Sequence, residues 1–391
     1  MILFEEALAL VLENVPVLPS EEIPFMESIG RVLAAPVTSD LNMPPFDKSA
    51  MDGFAFRMSD MDKELLIRET IPAGKVPEKA IGEGQCSKIM TGAMIPQGAD
   101  AVVPVEDTEP AGRDSIRILA DKVKTNISRL GEDVREGDIV LTAGTWVQPP
   151  HIAVMASVGC TKPRVAVKPK IGIISTGDEL VEPDEKPGPS QIRNSNSWQL
   201  LAQAKLSGAE PYYYGIAPDT EDESYRILDK AIHENQVVLL TGGVSMGDFD
   251  FIPKVFRKLG IRIIFETVAM QPGKPTVFGH LGDKRIFGLP GNPVSSYNTF
   301  NIFVKPMIRR MMGMKENDKR LILPMGVTYQ RKRSDRMSWI PVSINREGFV
   351  IPLEYHGSGH IHSLSSADGM IAIPIGETIL KEGARVHVRQ L

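Results

Sequence analysis

Between residues 169 and 312 the chain repeats one rhythm: a short apolar run, a turn rich in glycine, aspartate or proline, then a stretch long enough for a helix. The apolar runs fall at 171–175, 210–216, 237–240, 261–265, 276–278 and 285–289. A run such as Val237-Val238-Leu239-Leu240 has no polar face, which suits a strand buried on both sides of a sheet. Helices are expected at 194–206, with Ser195 or Asn196 as the cap, at 222–234, and from the turn at 290–296 to about 311. Strands that alternate with helices predict a largely parallel, doubly wound α/β sheet. Such a sheet binds ligands in the crevice beyond the carboxyl ends of its strands.

The unusual loops fall at those ends. Thr241-Gly242-Gly243-Val244-Ser245-Met246-Gly247-Asp248 follows the most apolar run. Adjacent glycines let the backbone turn sharply and approach a ligand closely. Successive N–H groups in such a turn can cradle an anion. Asp248 and Asp250 follow at once, and Asp219 ends another strand, so a hard cation has candidate ligands. Thr176, Asp178 and Glu179 follow the first run. Pro290, Gly291, Asn292, Pro293 and Ser295 lead into a helix N-terminus, where free N–H groups and the dipole favour anions. Lys274, in a Gly/Pro turn, offers a point charge. Each loop alone is ordinary turn chemistry; their clustering at one edge points to a phosphate or oxyanion site.

Elsewhere the chain changes character. Residues 3–14 place Phe4, Ala7, Leu8, Val11 and Leu12 on one helical face, and Pro16 ends the helix. From 56 to about 143, short apolar runs separated by Gly/Pro turns read as β-structure. Three polar positions stand out there: Asp52 in a proline-opened loop, Thr91 after a strand, and Asp133 before a turn. The division expected is a split linker domain (1–43 with 144–168), an inserted β-rich domain (44–143), an α/β domain (169–312) and a C-terminal β domain (313–391). Residues 356–363 hold three histidines at a spacing that fits no common zinc pattern, and read as a polar loop near a ligand or interface.

Composition narrows the function. The net charge of −5 gives no basic footprint, which argues against nucleic acid as the main partner. An anionic ligand would therefore need a local cluster of donors. Two cysteines far apart fit neither a disulfide framework nor a metal pattern, and suit a reducing cytoplasm. The acidic start is unlike a signal peptide, and no apolar run approaches membrane-spanning length. No Ser-His-Asp or Cys-His pattern is evident, so no covalent intermediate is expected.

Seven segments taken together resemble the molybdopterin molybdotransferase family (MoeA and the E domain of gephyrin). They are residues 46–55, 91–93, 131–134, 175–180, 241–247, 272–275 and 289–295, in family order across nearly the whole chain. The resemblance implies an α/β molybdopterin-binding fold, an inserted β domain, a C-terminal β-barrel-like domain, and a homodimer whose active site is shared between subunits. It implies insertion of molybdate into adenylylated molybdopterin, with release of AMP and the molybdenum cofactor and with Mg²⁺ as cation. On that reading Gly242, Gly243, Ser245 and the 290–296 turn hold phosphates. Asp219, Asp248 and Asp250 hold the cation, while Glu179 completes that set or orients water. Lys274 stabilises anionic oxygens. Asp52, with Asp133, serves as acid or base, and Thr91 and Thr176 contact substrate. An adenylyltransferase and molybdoenzyme apoproteins are the implied partners. Gln271 departs from the pattern, because many members carry a basic residue there; one cationic contact is expected to be missing. Two other readings remain open at this point: a molybdopterin adenylyltransferase, and a non-enzymatic dimeric scaffold.

Overall fold

The computed structural model describes residues 1–13, 15–243, 252–314, 321–354 and 357–390. Its contacts divide the chain into two compact units. One comprises Met1–Ala35, Ala143–Gln148 and Arg164–Leu391; the other comprises Pro36–Thr142 and Pro149–Pro163.

The larger unit is built on a six-stranded sheet. The strands lie in the order Glu210–Ala217, Lys170–Thr176, Val237–Thr241, Lys284–Leu289, Val277–Leu281, Arg262–Phe265. The first four are mutually parallel; Val277–Leu281 runs antiparallel to both its neighbours. Alternation along the central strands explains their unbroken apolar character. Val237 and Leu239 enter one core with Leu200, Ala204, Phe300 and Phe303, while Val238 and Leu240 enter another with Leu228, Ile232, Val255 and Phe256. The helices Asn196–Leu206 and Pro293–Thr299 thus cover one face, and Glu221–Glu234 and Ile252–Lys258 the other. The doubly wound α/β fold is as the sequence implied, with one antiparallel strand, Val277–Leu281, set second from the edge.

The last long helix departs from the expected single rod. Pro293–Thr299 passes through a π-helical turn, Phe300–Val304, before Lys305–Met311. The N-terminal helix, Phe4–Leu12, buries Phe4, Ala7 and Val11. Phe4 meets the rings of Phe303 and Trp339 at 5.5 Å each, which ties the chain start to the sheet domain and to the C-terminal strands. Those strands form a mainly antiparallel sheet from Leu321–Pro324, Met337–Ile344, Gly369–Ile373 and Arg385–Gln390. Ile340, Val342, Ile371 and Val388 are in its own core.

The smaller unit holds a six-stranded sheet of its own, ordered Ala101–Pro104, Gly53–Phe56, Gln85–Ile89, Leu65–Ile71, Ser115–Ile118, Thr108–Pro110. Gly53 is required by close approach: a Cβ there would lie 2.0 Å from the Val103 carbonyl oxygen. That contact fixes the strand directly after Asp52. The helix Pro149–Ser157 belongs to this unit.

Candidate active site

A cavity of about 880 Å³ opens at the carboxyl end of the parallel strands of the larger unit. Its size is in the range of small-molecule sites. Thr176, Glu179, Asp219, Gly242, Gly243 and the turn 290–293 line it, so four loops far apart in sequence meet in one place.

The double glycine forms its floor. Gly242 and Gly243 have φ of 93° and 62°, in the left-handed region that side chains disfavour. A Cβ on Gly242 would lie 2.5 Å from the Thr176 carbonyl oxygen, so the two strand ends touch through bare backbone. Gly242 donates its N–H to the Leu289 carbonyl at 3.2 Å, which locks this turn to the next strand.

Asn196 is the clamp that the sequence did not single out. Its Nδ2 donates to Thr241 Oγ1 at 3.0 Å and to the Gly291 carbonyl at 2.7 Å. It was expected only as a helix cap, a role that Asn194 fills instead. Asn194 Oδ1 accepts the Ser197 N–H at 3.1 Å, whereas Ser195 makes no capping hydrogen bond. Asn194 also accepts from Ser175 Oγ and donates to the Tyr213 hydroxyl, so one buried amide braces strand, cap and neighbouring strand. No local signal could have found Asn196, because its partner Gly291 lies 95 residues away.

Two cavity atoms are left with polar capacity to spare. Thr176 Oγ1 and Asn196 Oδ1 are buried and have no hydrogen-bond partner. Orphaned polar atoms cost free energy unless something satisfies them. A ligand in the cavity would do so.

The acidic wall is also organised. The Asp178 N–H donates to Asp219 Oδ2 at 3.3 Å, and the Asp219 N–H to Asp178 Oδ1 at 3.1 Å. This reciprocal pair ties the loop after the first strand to the loop that carries Asp219. Among the described residues no group of three His, Cys, Asp or Glu side chains is placed to hold a metal. Ser245, Asp248 and Asp250 lie outside the described residues. Lys274 is exposed in the adjoining loop and does not line the cavity, although Pro275 does. Ser295 is buried behind the 290–293 turn. Gln271 spends its amide on Ser338 Oγ at 3.1 Å, which joins the loop to a C-terminal strand.

The histidine loop reaches the same cavity. Gly359, Ile361 and His362 line it, and Asn292 Nδ2 donates to Ser358 Oγ at 2.9 Å. Val294 donates its N–H to the Ser358 carbonyl at 3.0 Å. The sequence marked this stretch as a polar loop near a ligand or interface, and it is a rim of the cavity.

In the smaller unit, Asp52 Oδ1 accepts the Thr91 N–H at 2.6 Å and the Thr91 hydroxyl at 2.8 Å. The amide first, and the hydroxyl second, hold the carboxyl below its usual range. Asp133 lines a different cavity of about 540 Å³, mostly apolar, with Met43, Val134 and Ile139.

Comparison with known proteins agrees with this layout. Family models described as the MoeA N-terminal region (domain I and II), a probable molybdopterin binding domain and the MoeA C-terminal region (domain IV) match residues 2–159, 172–310 and 328–391. A protein named molybdopterin molybdenumtransferase from Staphylococcus epidermidis is 37% identical over 372 residues, covering 93% of this chain and 89% of the relative. One of the same name from Bacillus subtilis is 37% identical over 385 residues, covering 94% and 89%. The crystal structure of the molybdopterin biosynthesis moeA protein from Pyrococcus horikoshii OT3 superposes with a TM-score of 0.87 at 30% identity, over 100% of both chains. With three family models matched in order over most of its length, the chain belongs to the MoeA family.

Proposed function

We propose that this protein is a molybdopterin molybdenumtransferase of molybdenum cofactor biosynthesis, inserting molybdate into adenylylated molybdopterin with release of AMP and the molybdenum cofactor. The observation that carries this reading is the cavity floor. Bare backbone at Gly242, Gly243 and Gly291 faces a space where Thr176 Oγ1 and Asn196 Oδ1 lack partners. That is a surface made for a ligand with many polar atoms and little bulk against the floor, as a pyrophosphate bridge presents.

The residues would divide the work as follows. The glycine turn and the 290–293 turn bind and orient the phosphates. Thr176 and Asn196 meet substrate oxygen or nitrogen atoms. Lys274, exposed in the adjoining loop, would lend positive charge to anionic oxygens. Asp52, ionised near neutral pH, is suited to accept a proton, and Asp133 to assist it. Asp219, with Asp248 and Asp250, would supply hard oxygen donors for Mg²⁺, and Asp178 and Glu179 would complete that set or orient water. When bound, that cation offsets phosphate charge and polarises the bridge.

Asp52, Thr91 and Asp133 are proposed to act from the partner protomer of a homodimer. The upstream adenylyltransferase and the recipient molybdoenzyme apoproteins are proposed as transient partners. The setting proposed is the cytoplasm, which the free thiols of Cys86 and Cys160 suit; no helix among the described residues is long and apolar enough to cross a membrane.

The test is to supply adenylylated molybdopterin with and without molybdate and measure AMP. Molybdate-dependent release supports the proposal. Given molybdopterin and ATP instead, adenylylation with no response to molybdate would replace it with the adenylyltransferase reading. Partner binding with neither activity would leave the scaffold.

A further inference from the structure

Away from the cavity, three cations crowd together, and among the described residues no acid balances them. Lys305 and Arg309 are one turn apart on the helix Lys305–Met311, and Arg389 comes from the last strand, Arg385–Gln390. All three are half-buried. Burial first, then the charges of Arg309 and Arg389, push the Lys305 ammonium down to a pKa of about 8. Burial lowers Arg309 and Arg389 as well, and no carboxylate among the described residues acts on any of the three.

Such an arrangement is unfavourable as it stands. Like charges four residues apart on a helix repel, and desolvated cations want counter-charge. Two tryptophans give partial relief. The guanidinium carbon of Arg309 lies 5.6 Å from the centre of the Trp146 ring, and that of Arg389 lies 5.4 Å from Trp339. Yet Arg309 Nε and Trp339 Nε1 are buried with no hydrogen-bond partner. Among the described residues, Arg389 Nη1 makes one long contact, 3.3 Å to the Asn301 carbonyl in the π-helical turn. The helix dipole accounts for Arg309 near a C-terminus. It accounts neither for Lys305 at the start of that segment nor for Arg389 from another element. Unspent N–H donors beside positive charge that no described acid compensates suit an anion with several acceptor atoms.

We infer that Lys305, Arg309 and Arg389 form an anion site for a small oxyanion, either inorganic phosphate or the phosphate group of a metabolite. None of these residues lines the cavity at the sheet edge, so the site is a second one. Bound there, the anion would bridge the helix and the last strand. Its effect would be to fasten the C-terminal sheet to the α/β domain.

The experiment uses the full chain at constant ionic strength, with chloride replaced stepwise by inorganic phosphate or by glycerol phosphate. Two signals are followed: the thermal midpoint, and tryptophan emission in a Trp198→Phe background. In that background only Trp146 and Trp339 remain of the three tryptophans. The wild type should gain about 2 °C or more, saturably, with an emission change on the same concentration scale. Arg389→Met should lose both responses. Lys305→Met should also lose them, while raising the midpoint in chloride alone, since it removes a repelled charge; it carries the test if Arg389→Met does not fold. A response to both probes supports a site that admits a phosphate group on a larger molecule. A response to inorganic phosphate alone supports an enclosed ion. The inference is overturned if the wild type gives no saturable response, or if both variants keep it. No catalysis is read, so this result and that for the proposed function stand or fall separately.

Discussion

Asp52 is a carboxylate with two donors from a single residue on one oxygen. Because Thr91 gives both its amide and its hydroxyl to Oδ1, the charged form is favoured and the pKa falls below the ordinary 3.8. The sequence left Asp52 open as acid or base; this geometry favours base or electrostatic partner at neutral pH. The depressed pKa means that charged Asp52 stabilises the fold above the ordinary carboxylate value, and that this contribution is lost as pH falls through the lower folded value. Thr91→Val removes the hydroxyl but keeps the amide, the larger influence. The Asp52 pKa should therefore rise only part of the way back, as a carboxyl NMR titration would read. If it does not move, the hydroxyl contributes nothing to the charge state. Asp52→Asn keeps the shape and removes the basic oxygen. Molybdate-dependent AMP release should drop by about 10²-fold or more, the usual worth of a positioned base, with the thermal midpoint little changed. Turnover near the wild-type rate would take Asp52 out of the reaction.

The elements around the cavity were the most legible part of the sequence, for a local reason. A strand buried on both faces needs an uninterrupted apolar run, and Val237 to Leu240 supplies it without reference to anything distant. The Gly242-Gly243 turn was legible in the same way, since only glycine accepts those dihedrals cheaply. What was not legible depends on partners far along the chain or on competition within a few residues. Asn194 won the cap over Ser195 and Asn196 because it also serves Ser175 and Tyr213. The π turn at Phe300–Val304 had a signal that went unread: Pro306 lacks the N–H that an unbroken α-helix would give to the Ile302 carbonyl, and its ring crowds that carbonyl. The turn can be tested directly. Gly242→Ala faces both a φ of 93° and a backbone oxygen 2.5 Å from the new methyl carbon. It should cost about 1–3 kcal/mol and lower the thermal midpoint of the larger unit. Asn196→Ala, by contrast, removes two side-chain hydrogen bonds and strains nothing. It should cost about 1–2 kcal/mol while weakening substrate binding more than folding. Equal midpoints for Gly242→Ala and wild type would show that this turn relaxes elsewhere.

At the scale of the whole molecule, the family pattern is spread over both units. Thr176, Gly242 and Gly291 belong to the larger unit, and Asp52, Thr91 and Asp133 to the smaller. A sequence can mark all of these as unusual, but it carries no signal for whether they serve one reaction within a chain or across two. The chemistry supplies a way to decide. If each active site draws Asp52 from one protomer and Glu179 from the other, Asp52→Asn and Glu179→Gln protomers are each inactive as homodimers. A mixed dimer then holds one site with both substitutions and one with neither. Random exchange of equal amounts makes half the dimers mixed, so activity should return to about a quarter of wild type for a two-fold symmetric assembly. Sites confined to single chains allow no such recovery, because every site would keep one lesion. The control is Asp52→Asn mixed with Asp133→Asn, two lesions in the same unit, which on the shared-site reading fall on the same side of the site. Mixing puts one of them in each site, and activity should stay absent. Recovery in the first mixture and silence in the second would establish the arrangement. Silence in both, with subunit exchange verified by mass, would return the reaction to a single chain.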